Sequence, residues 1–427
     1  MNDINTISYH KYLKISSLIL ILFPAALISG PFLPDLFLTL ISIIFLFTYK
    51  LDNTFKLFKN YYLGIFAVFW IYIVIGSLFS DSVALSIKST LPYFRFGLFS
   101  LAIYFIFKNR KQSIKYFYIS LIATLIVLFL DGYYQFFSGS NIFGYKTERP
   151  DRLGGLFFDK LILGSFISKI LPIFITLTLI NEKIINKKYI FIFIFFAYLL
   201  IFLSGERAAF FSISFYLLLI SPFILNSKSF FLFSFVFLVV FCGLVLSNKN
   251  LKSRWVDQML MHTIYKGQDT ITFMPDHIGL FSSAIDIFEK NIIFGSGVKT
   301  FRVNCKYINP EKIKELKKRI LNVQYCSTHP HNYYLQLLAE TGLIGFAFVF
   351  LTFCKLLSMY LSQLYFLIKK EKKLGSKSYV CILSALVVSL WPLTTSGSFF
   401  NNWISSILYL TIGIFLFVKS NEPKKNS

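Results

Sequence analysis

Apolar runs long enough to cross a lipid bilayer recur along most of the chain, and they restrict its fold more than any other feature. About 17 to 25 apolar residues cross a hydrocarbon core. Backbone N–H and C=O groups inside that core must be satisfied within the segment, so isolated runs of this kind become helices. Twelve occur, at 15–30, 36–49, 61–79, 89–107, 116–137, 161–180, 189–203, 208–225, 230–246, 342–368, 379–393 and 403–418. The second, seventh and eleventh are short. Composition agrees: 56% of residues are hydrophobic and mean hydropathy is +0.65, above the ~45–50% apolar share of soluble domains. The expected fold class is an all-α polytopic membrane protein of about 12 transmembrane helices. Nine fall in residues 1–247, a large loop occupies 248–341, and 342–427 holds three more and a tail. The first run lacks a small-residue cleavage site and reads as a signal anchor.

Basic residues in short loops are retained on the cytoplasmic side. With the N-terminus inside, the inner segments carry 21 Lys and Arg, among them Lys56, Lys59, Lys183, Lys424 and Lys425, against six in the short outer loops. Both termini are therefore expected inside and the 248–341 loop outside. The net charge of +23 then serves mainly to anchor the chain at anionic lipid. No basic domain stands apart from the spans, so nucleic acid is not an expected partner. The large loop holds four of the five histidines, together with Cys305 and Cys326. An oxidising compartment permits those two cysteines to pair. Cys242, Cys354 and Cys381 lie in apolar runs, where cysteine behaves as a small core residue.

Ionisable residues within spans are costly and usually face an interior cavity. Arg95 and Asp131 lie about six residues, or ~9 Å, from the outer ends of their runs, and Lys169 lies deeper in the sixth. Arg207 sits in the tight Ser204-Gly205-Glu206-Arg207 turn. For Arg95 and Arg207 a functional reading is favoured. Lys169 and Lys355 are equally well explained by snorkelling, in which the head reaches the interface. Asp131 is expected to form a structural ion pair with one of these arginines or with Lys169. Such cations suit an anion at outer-leaflet depth, such as a lipid-linked phosphate, because guanidinium grips phosphate oxygens bidentately and stays charged. The loop with Lys146, Arg149, Arg152 and Lys160 adds positive charge, and Gly154 and Gly155 beside Arg152 permit close backbone approach.

The long loop re-enters apolar sequence through Thr328-His329-Pro330-His331-Asn332-Tyr333-Tyr334. A histidine there has the pKa range of a general base for a hydroxyl. Asn332 is placed to cap the helix that follows, and Glu340 lies two turns further on, too far to orient His331. No carboxylate or cysteine cluster accompanies the histidines as a metal site would require. The chain also lacks an Asp-x-Asp pair, so arginines rather than a metal would have to meet a diphosphate.

Three motifs are similar to those of the bacterial O-antigen ligase and O-antigen polymerase superfamily. They are His331-Asn332-Tyr333-Tyr334-Leu335 with Glu340-Thr341-Gly342-Leu343-Ile344-Gly345, Ile293-Phe294-Gly295-Ser296-Gly297-Val298-Lys299-Thr300-Phe301, and Ser204-Gly205-Glu206-Arg207. The resemblance covers most of the chain and implies a glycosyltransferase C-like fold. It implies transfer of a glycan from an undecaprenyl-diphosphate carrier to an acceptor hydroxyl at the periplasmic face of the inner membrane, without a cofactor. In ligases the acceptor is the lipid A-core oligosaccharide, and in polymerases another lipid-linked repeat. His331 would be the base, and Arg207 and Arg152 would hold the diphosphate. Apart from the resemblance, Arg95, from its depth, and Asn332, from its place beside His331, are expected as further substrate contacts. Many members carry an arginine where this chain has His277, 18 residues before Gly295, so Arg302 or Arg254 would have to substitute. The large loop with its cysteine pair favours ligase over polymerase. A glycolipid transporter or flippase would also need cations and a cavity, but not a histidine base, and the two-fold repeats common in transporters are absent from the sequence.

Overall fold

A computed structural model describes residues 2–51, 61–181, 187–225, 227–258, 275–307, 311, 314 and 324–423. Lys56, Lys59, Lys183, Lys424 and Lys425 lie outside these residues, as does the 259–274 part of the long loop. The described chain is helical, with no strand. Its elements are α1 (Asn2–Ile28), α2 (Phe32–Leu51), α3 (Tyr61–Leu78), α4 (Val83–Thr90), α5 (Phe94–Asn109), α6 (Lys111–Ser138), α7 (Leu163–Ile180), α8 (Lys187–Leu203), α9 (Arg207–Ile224) and α10 (Ser227–Ser247). These are followed by α11 (Lys249–Lys252), α12 (Pro275–Lys290), α13 (Phe301–Asn304), α14 (Tyr333–Ile368), α15 (Lys377–Ser389) and α16 (Asn402–Ser420).

Among the described residues, eight helices are long and apolar enough to cross a membrane, and a ninth arises if the bent α10–α11 pair counts as one span. Three shorter apolar helices, Phe32–Thr48, Ile190–Leu203 and Lys377–Ser389, occupy the places of the three short apolar runs. The protein is thus a multi-pass membrane protein. One boundary differs from expectation: helix begins at Val83, ahead of the 89–107 run. Pro92 lies in a 3-10 turn, Leu91–Tyr93, that joins α4 to α5, because a proline has no N–H to continue an α-helical ladder.

Leu18, Leu22, Val68, Leu130, Phe231, Phe235 and Leu351 are exposed on the flanks, as expected of a lipid-facing surface, whereas Phe23, Phe99, Phe166 and Phe202 are fully buried. Between helices in lipid there is little hydrophobic drive, so close packing and polar ties matter more. The Ser42 hydroxyl donates to the Arg95 carbonyl at 3.0 Å, and the Ser100 hydroxyl to the Tyr409 carbonyl at 2.8 Å. At Gly413, α16 lies so close to α5 that a Cβ would sit 2.8 Å from the Ser100 carbonyl oxygen.

The segments that connect helices at one end of the bundle bond to one another. The Leu153 amide donates to the Ser204 carbonyl at 3.3 Å, Asp81 to Ser296 at 3.1 Å, and Ser396 to His331 at 2.8 Å. A bend of 107° between α10 and α11 lays the chain across this same end. The tightest crossing is glycine on glycine. α14 breaks at Gly342, where φ is 63° and ψ is −168°, and the 292–297 segment runs through the break. The Leu343 amide donates to the Ile292 carbonyl at 2.8 Å, and Ser296 and Gly297 donate to the Ala339 and Glu340 carbonyls at 3.0 and 2.9 Å. A Cβ at Gly342 would collide with the Ile293 carbonyl, and one at Gly295 with the Gly342 amide.

Gly342→Ala therefore meets both steric overlap and a backbone conformation essentially restricted to glycine. It is expected to lose more than about 2 kcal/mol of stability, read as a lowered Tm and reduced folded yield in detergent. Gly64→Ala, within α3 and where a Cβ meets nothing within 4 Å, should not lower Tm, because alanine is the better helix former.

Candidate active site

Two groups of side chains gather at the looped end. The first is built around the Ser204-Gly205-Glu206-Arg207 turn, where Gly205 has φ of 69°. Glu206 is buried and turns inward to the start of α7, accepting from the Gly164 and Ser165 amides at 2.7 and 3.2 Å and from the Ser165 hydroxyl. A carboxylate there satisfies orphan N–H groups and the helix dipole together. Arg207 thereby faces the other way, and its Nη2 donates to the Arg254 carbonyl at 2.9 Å and to Gln258 Oε1 at 3.2 Å. Arg254 arrives on the π-helical turn Ser253–Asp257. Trp255 pins that turn, its ring 4.9 Å from Phe202 and 5.1 Å from Phe210. Arg254 Nε donates to the Gly205 carbonyl at 2.8 Å and Nη1 to Gln258 Oε1 at 2.8 Å. Arg152 adds a third guanidinium, donating from Nη2 to the Leu161 carbonyl at 2.9 Å, while its buried Nε has no partner among the described residues.

Three guanidiniums so close repel one another. Two carboxylates stand near these arginines and Arg149: Asp151, 3.1 Å from Arg149 and 3.9 Å from Arg254, and Glu206, whose charge acts on Arg152. Burial would raise the Asp151 pKa, but Arg149, Gln258 and Arg254 outweigh that and hold the carboxyl below its usual range. The net local charge remains positive, so the pocket is arranged for an anion.

The second group is histidine. His331 has φ of 57°, an uncommon region for a side chain other than glycine or asparagine. Its carbonyl is held by the Ser396 amide at 2.8 Å. This left-handed residue turns the chain from the loop into α14. His331 lies with ring centroids 5.1 Å from His277 and 4.2 Å from His329. All three rings are half-buried. Burial first, and then the charge of His277, lowers the His331 pKa. Burial, followed by His331 and Arg302, pushes His329 down to about 4. His331 is thus favoured as neutral imidazole, the form that accepts a proton. Among the described residues, no three His, Cys, Asp or Glu side chains are arranged to hold a metal ion.

Asn332 and Arg95, two expected substrate contacts, and Asp131, an expected ion-pair partner, are engaged within the protein. Asn332 Oδ1 accepts from the Tyr334 and Leu335 amides at 2.9 and 3.1 Å, and Nδ2 donates to the Pro392 and Thr394 carbonyls at 2.8 and 3.4 Å. Its side chain thus caps α14 and ties down the 392–394 loop. Arg95 is taken up by α2, 2.6 Å from Asp35 and 3.0 Å from the Thr39 hydroxyl. Its charge is therefore matched within the bundle. Asp131 accepts from the Ile142 amide at 2.9 Å, a backbone bond in place of the anticipated ion pair. Arg302, on α13, lies close enough to His329 to depress its pKa.

Sequence reasoning passed over Gln258, which joins two arginines, and Ser396, which holds His331. The run Thr394-Thr395-Ser396-Gly397-Ser398 between apolar stretches was the available signal for the second. Cys305 and Cys326 are joined by a disulfide, Cα atoms 5.1 Å apart, that ties α13 to the strand of loop leading into the histidines.

Residues 191–350 match the O-antigen ligase family. The chain carries a domain of the O-antigen ligase and polymerase superfamily. That match contains Arg207, Arg254, His277, Arg302, His331 and the glycine crossing, whereas Arg152 and Ser396 lie outside it. No curated protein matches the chain.

Thiol alkylation should leave Cys305 and Cys326 unmodified in exported protein without reductant and label both after reduction. Free thiols at both positions, seen by mass spectrometry, would remove the disulfide.

Proposed function

We propose that this O-antigen ligase family protein is a lipopolysaccharide O-antigen ligase of the bacterial inner membrane, with its site facing the periplasm. It moves a glycan from undecaprenyl diphosphate to a sugar hydroxyl of lipid A-core. The observation that carries this reading is the pairing of a histidine favoured as neutral, His331, with an arginine cluster at the same end of the bundle. His331, Arg207 and Arg254 lie within the family match.

In this mechanism His331 takes the proton of the acceptor hydroxyl. The hydroxyl oxygen attacks the anomeric carbon of the first donor sugar, and the bond to the diphosphate oxygen breaks. Undecaprenyl diphosphate leaves with the electron pair, and the anomeric configuration inverts. Arg207, Arg152 and Arg254 neutralise charge as it develops on the leaving group, the effect that preorganised cations supply best in a water-poor site. Arg254 fills the part that an arginine at position 277 would have played. His277 instead sits beside the base and disfavours its protonation, and Arg302 adds positive charge at the histidines.

His331→Asn keeps a residue tolerant of left-handed backbone but removes the base. It should fold and export normally while losing at least about 100-fold in transfer, within the range general-base catalysis supplies. Full surface polysaccharide in the variant would remove the mechanism. Because a lowered pKa keeps the imidazole neutral into more acidic solution, the acid limb of the rate profile should fall below the ordinary histidine value of about 6.5. His277→Gln should move that limb to higher pH, since a depressing charge is lost.

Arg207→Lys should lose most activity despite its retained charge, because an ammonium cannot offer two parallel donors; a near-normal rate would argue against a diphosphate clamp. Deleting the gene should abolish all capped lipopolysaccharide on gels while carrier-linked polymer accumulates. Core bearing a single repeat would instead identify a polymerase.

A further inference from the structure

Lys299 and Arg302, three residues apart at the start of α13, are cations that no carboxylate takes up. Neither forms an ion pair among the described residues, and Arg302 Nε is buried without a hydrogen-bond partner. Glu340 acts on both, but its oxygens already accept from the Phe301 amide, a backbone group at Lys299 and the Gln336 side chain. Lys299 has φ of 65°, a left-handed backbone that a lysine adopts at a cost. It is held there on both sides, by the Ser86 hydroxyl on the Val298 carbonyl at 2.7 Å and by Glu340 on the Phe301 amide. The pair stands beside the histidines. The charge of Arg302 acts on His329, and the disulfide ties their two segments, Cys305 lying three residues after Arg302 and Cys326 three before His329. His329 Nδ1 is 2.9 Å from the Thr328 hydroxyl, whereas its buried Nε2 has no partner among the described residues. Its ring lies 4.2 Å from that of His331. Unengaged polar groups thus lead from Lys299 through Arg302 and His329 to the base, and all are half-buried, each with part of its surface open.

We propose that Lys299, Arg302 and His329 form a second substrate subsite, which binds an oxyanion, phosphate or carboxylate, carried by the acceptor glycan. The inference rests on the acceptor assignment above and extends it. A sugar hydroxyl is satisfied by neutral partners, whereas two half-buried cations without a counter-charge are retained at a cost that an anion removes. Guanidinium grips carboxylate and phosphate alike, so both belong to the class. The anion comes with the acceptor because the diphosphate has its own arginines. The charges that act on Lys299 are Arg302, Glu340, Arg95 and Asp35, and those that act on Arg254 are Arg207, Arg152, Asp151 and Arg149, with none in common. The acceptor is also the reactant whose hydroxyl must meet His331. An acceptor anchored by its anion at Lys299 and Arg302 lays its neighbouring hydroxyls along His329 toward that base. Backbone strain of the kind seen at Lys299 gathers at ligand clamps, and here it aims a cation.

The test measures transfer by full-length protein in nanodiscs to three acceptors: native lipid A-core, the same dephosphorylated with hydrofluoric acid, and the same with its carboxyl groups reduced to alcohols. For wild type, one of the two modifications should raise the acceptor KM at least about tenfold, the scale of a hydrogen bond to a charged group, and so name the anion. Arg302→Gln should raise the KM for native acceptor by a similar factor, leave the donor KM as in wild type, and no longer distinguish native acceptor from that modified one. Arg302→Lys, which keeps the charge, should recover part of the loss. Lys299→Asn removes a charge but suits left-handed backbone, so it should raise the acceptor KM about threefold without lowering Tm. A wild-type KM alike for all three acceptors overturns the proposal. So does discrimination that persists undiminished in both Arg302→Gln and Lys299→Asn, or a donor KM that rises as much as the acceptor KM in Arg302→Gln, which would make the arginine a diphosphate contact. If wild-type protein transfers to none of the three, the acceptor assignment itself fails, and the subsite falls with it.

Discussion

The carboxylate of Glu340, almost wholly buried where α14 breaks, accepts from the Phe301 amide at 3.2 Å and from a second backbone group at Lys299. Its other oxygen takes the Gln336 side-chain amide at 3.0 Å. A charge-bearing group buried at this depth is tolerable only when its lone pairs are met. The Gly295–Phe301 segment meets them, and in doing so is locked to the membrane helix. α12 and α13 pack on this anchored segment through Leu280, Ala284, Ile287 and Phe301, so the positions of His277 and Arg302 follow from it.

Glu340 is the last of three polar residues at four-residue spacing, the first of which, Asn332, is the N-cap of α14. Asn332, Gln336 and Glu340 recur every four residues, a spacing that aligns them along a helix. Asn332 holds the 392–394 carbonyls, Gln336 reaches the Ser398 hydroxyl and the Phe399 amide at 2.9 and 2.8 Å, and Glu340 holds the glycine segment. The stripe is a ruler for two loops. It leaves His331, just before the helix, as the side chain released from this duty, and the loop it secures supplies the Ser396 amide that keeps His331 left-handed.

The arginine group follows a similar plan. Glu206 and Arg207 are adjacent but face opposite ways, one satisfying the α7 N-terminus and the other joining Arg254. The positive field is thus produced without an ion pair between the two neighbours, and Asp151 and Glu206 offset only part of it. Arg95, at comparable sequence depth, has its charge cancelled by Asp35. Whether an intramembrane arginine serves a ligand or the bundle depends on what the neighbouring helix presents.

Much of the architecture was legible in the chain. The apolar runs mark where helices lie, because backbone groups in hydrocarbon leave no other local solution. The glycines of 295 and 342, the cysteine pair and His331 were visible as motifs, since each is a residue type whose chemistry is local. Partners across helices were not visible. Asp35 for Arg95, the Ile142 amide for Asp131, Arg254 beside Arg207, and His277 beside His331 are separated by 60, 11, 47 and 54 residues. Nothing in a run of sequence encodes which of several charged groups will face one another once helices pack. The chain by itself determined a helical membrane bundle with polar chemistry gathered at its loops, and only the tertiary structure decided which cations are cancelled and which face a cavity, because pairing in a low-dielectric interior is set by contact across helices rather than by order along the chain.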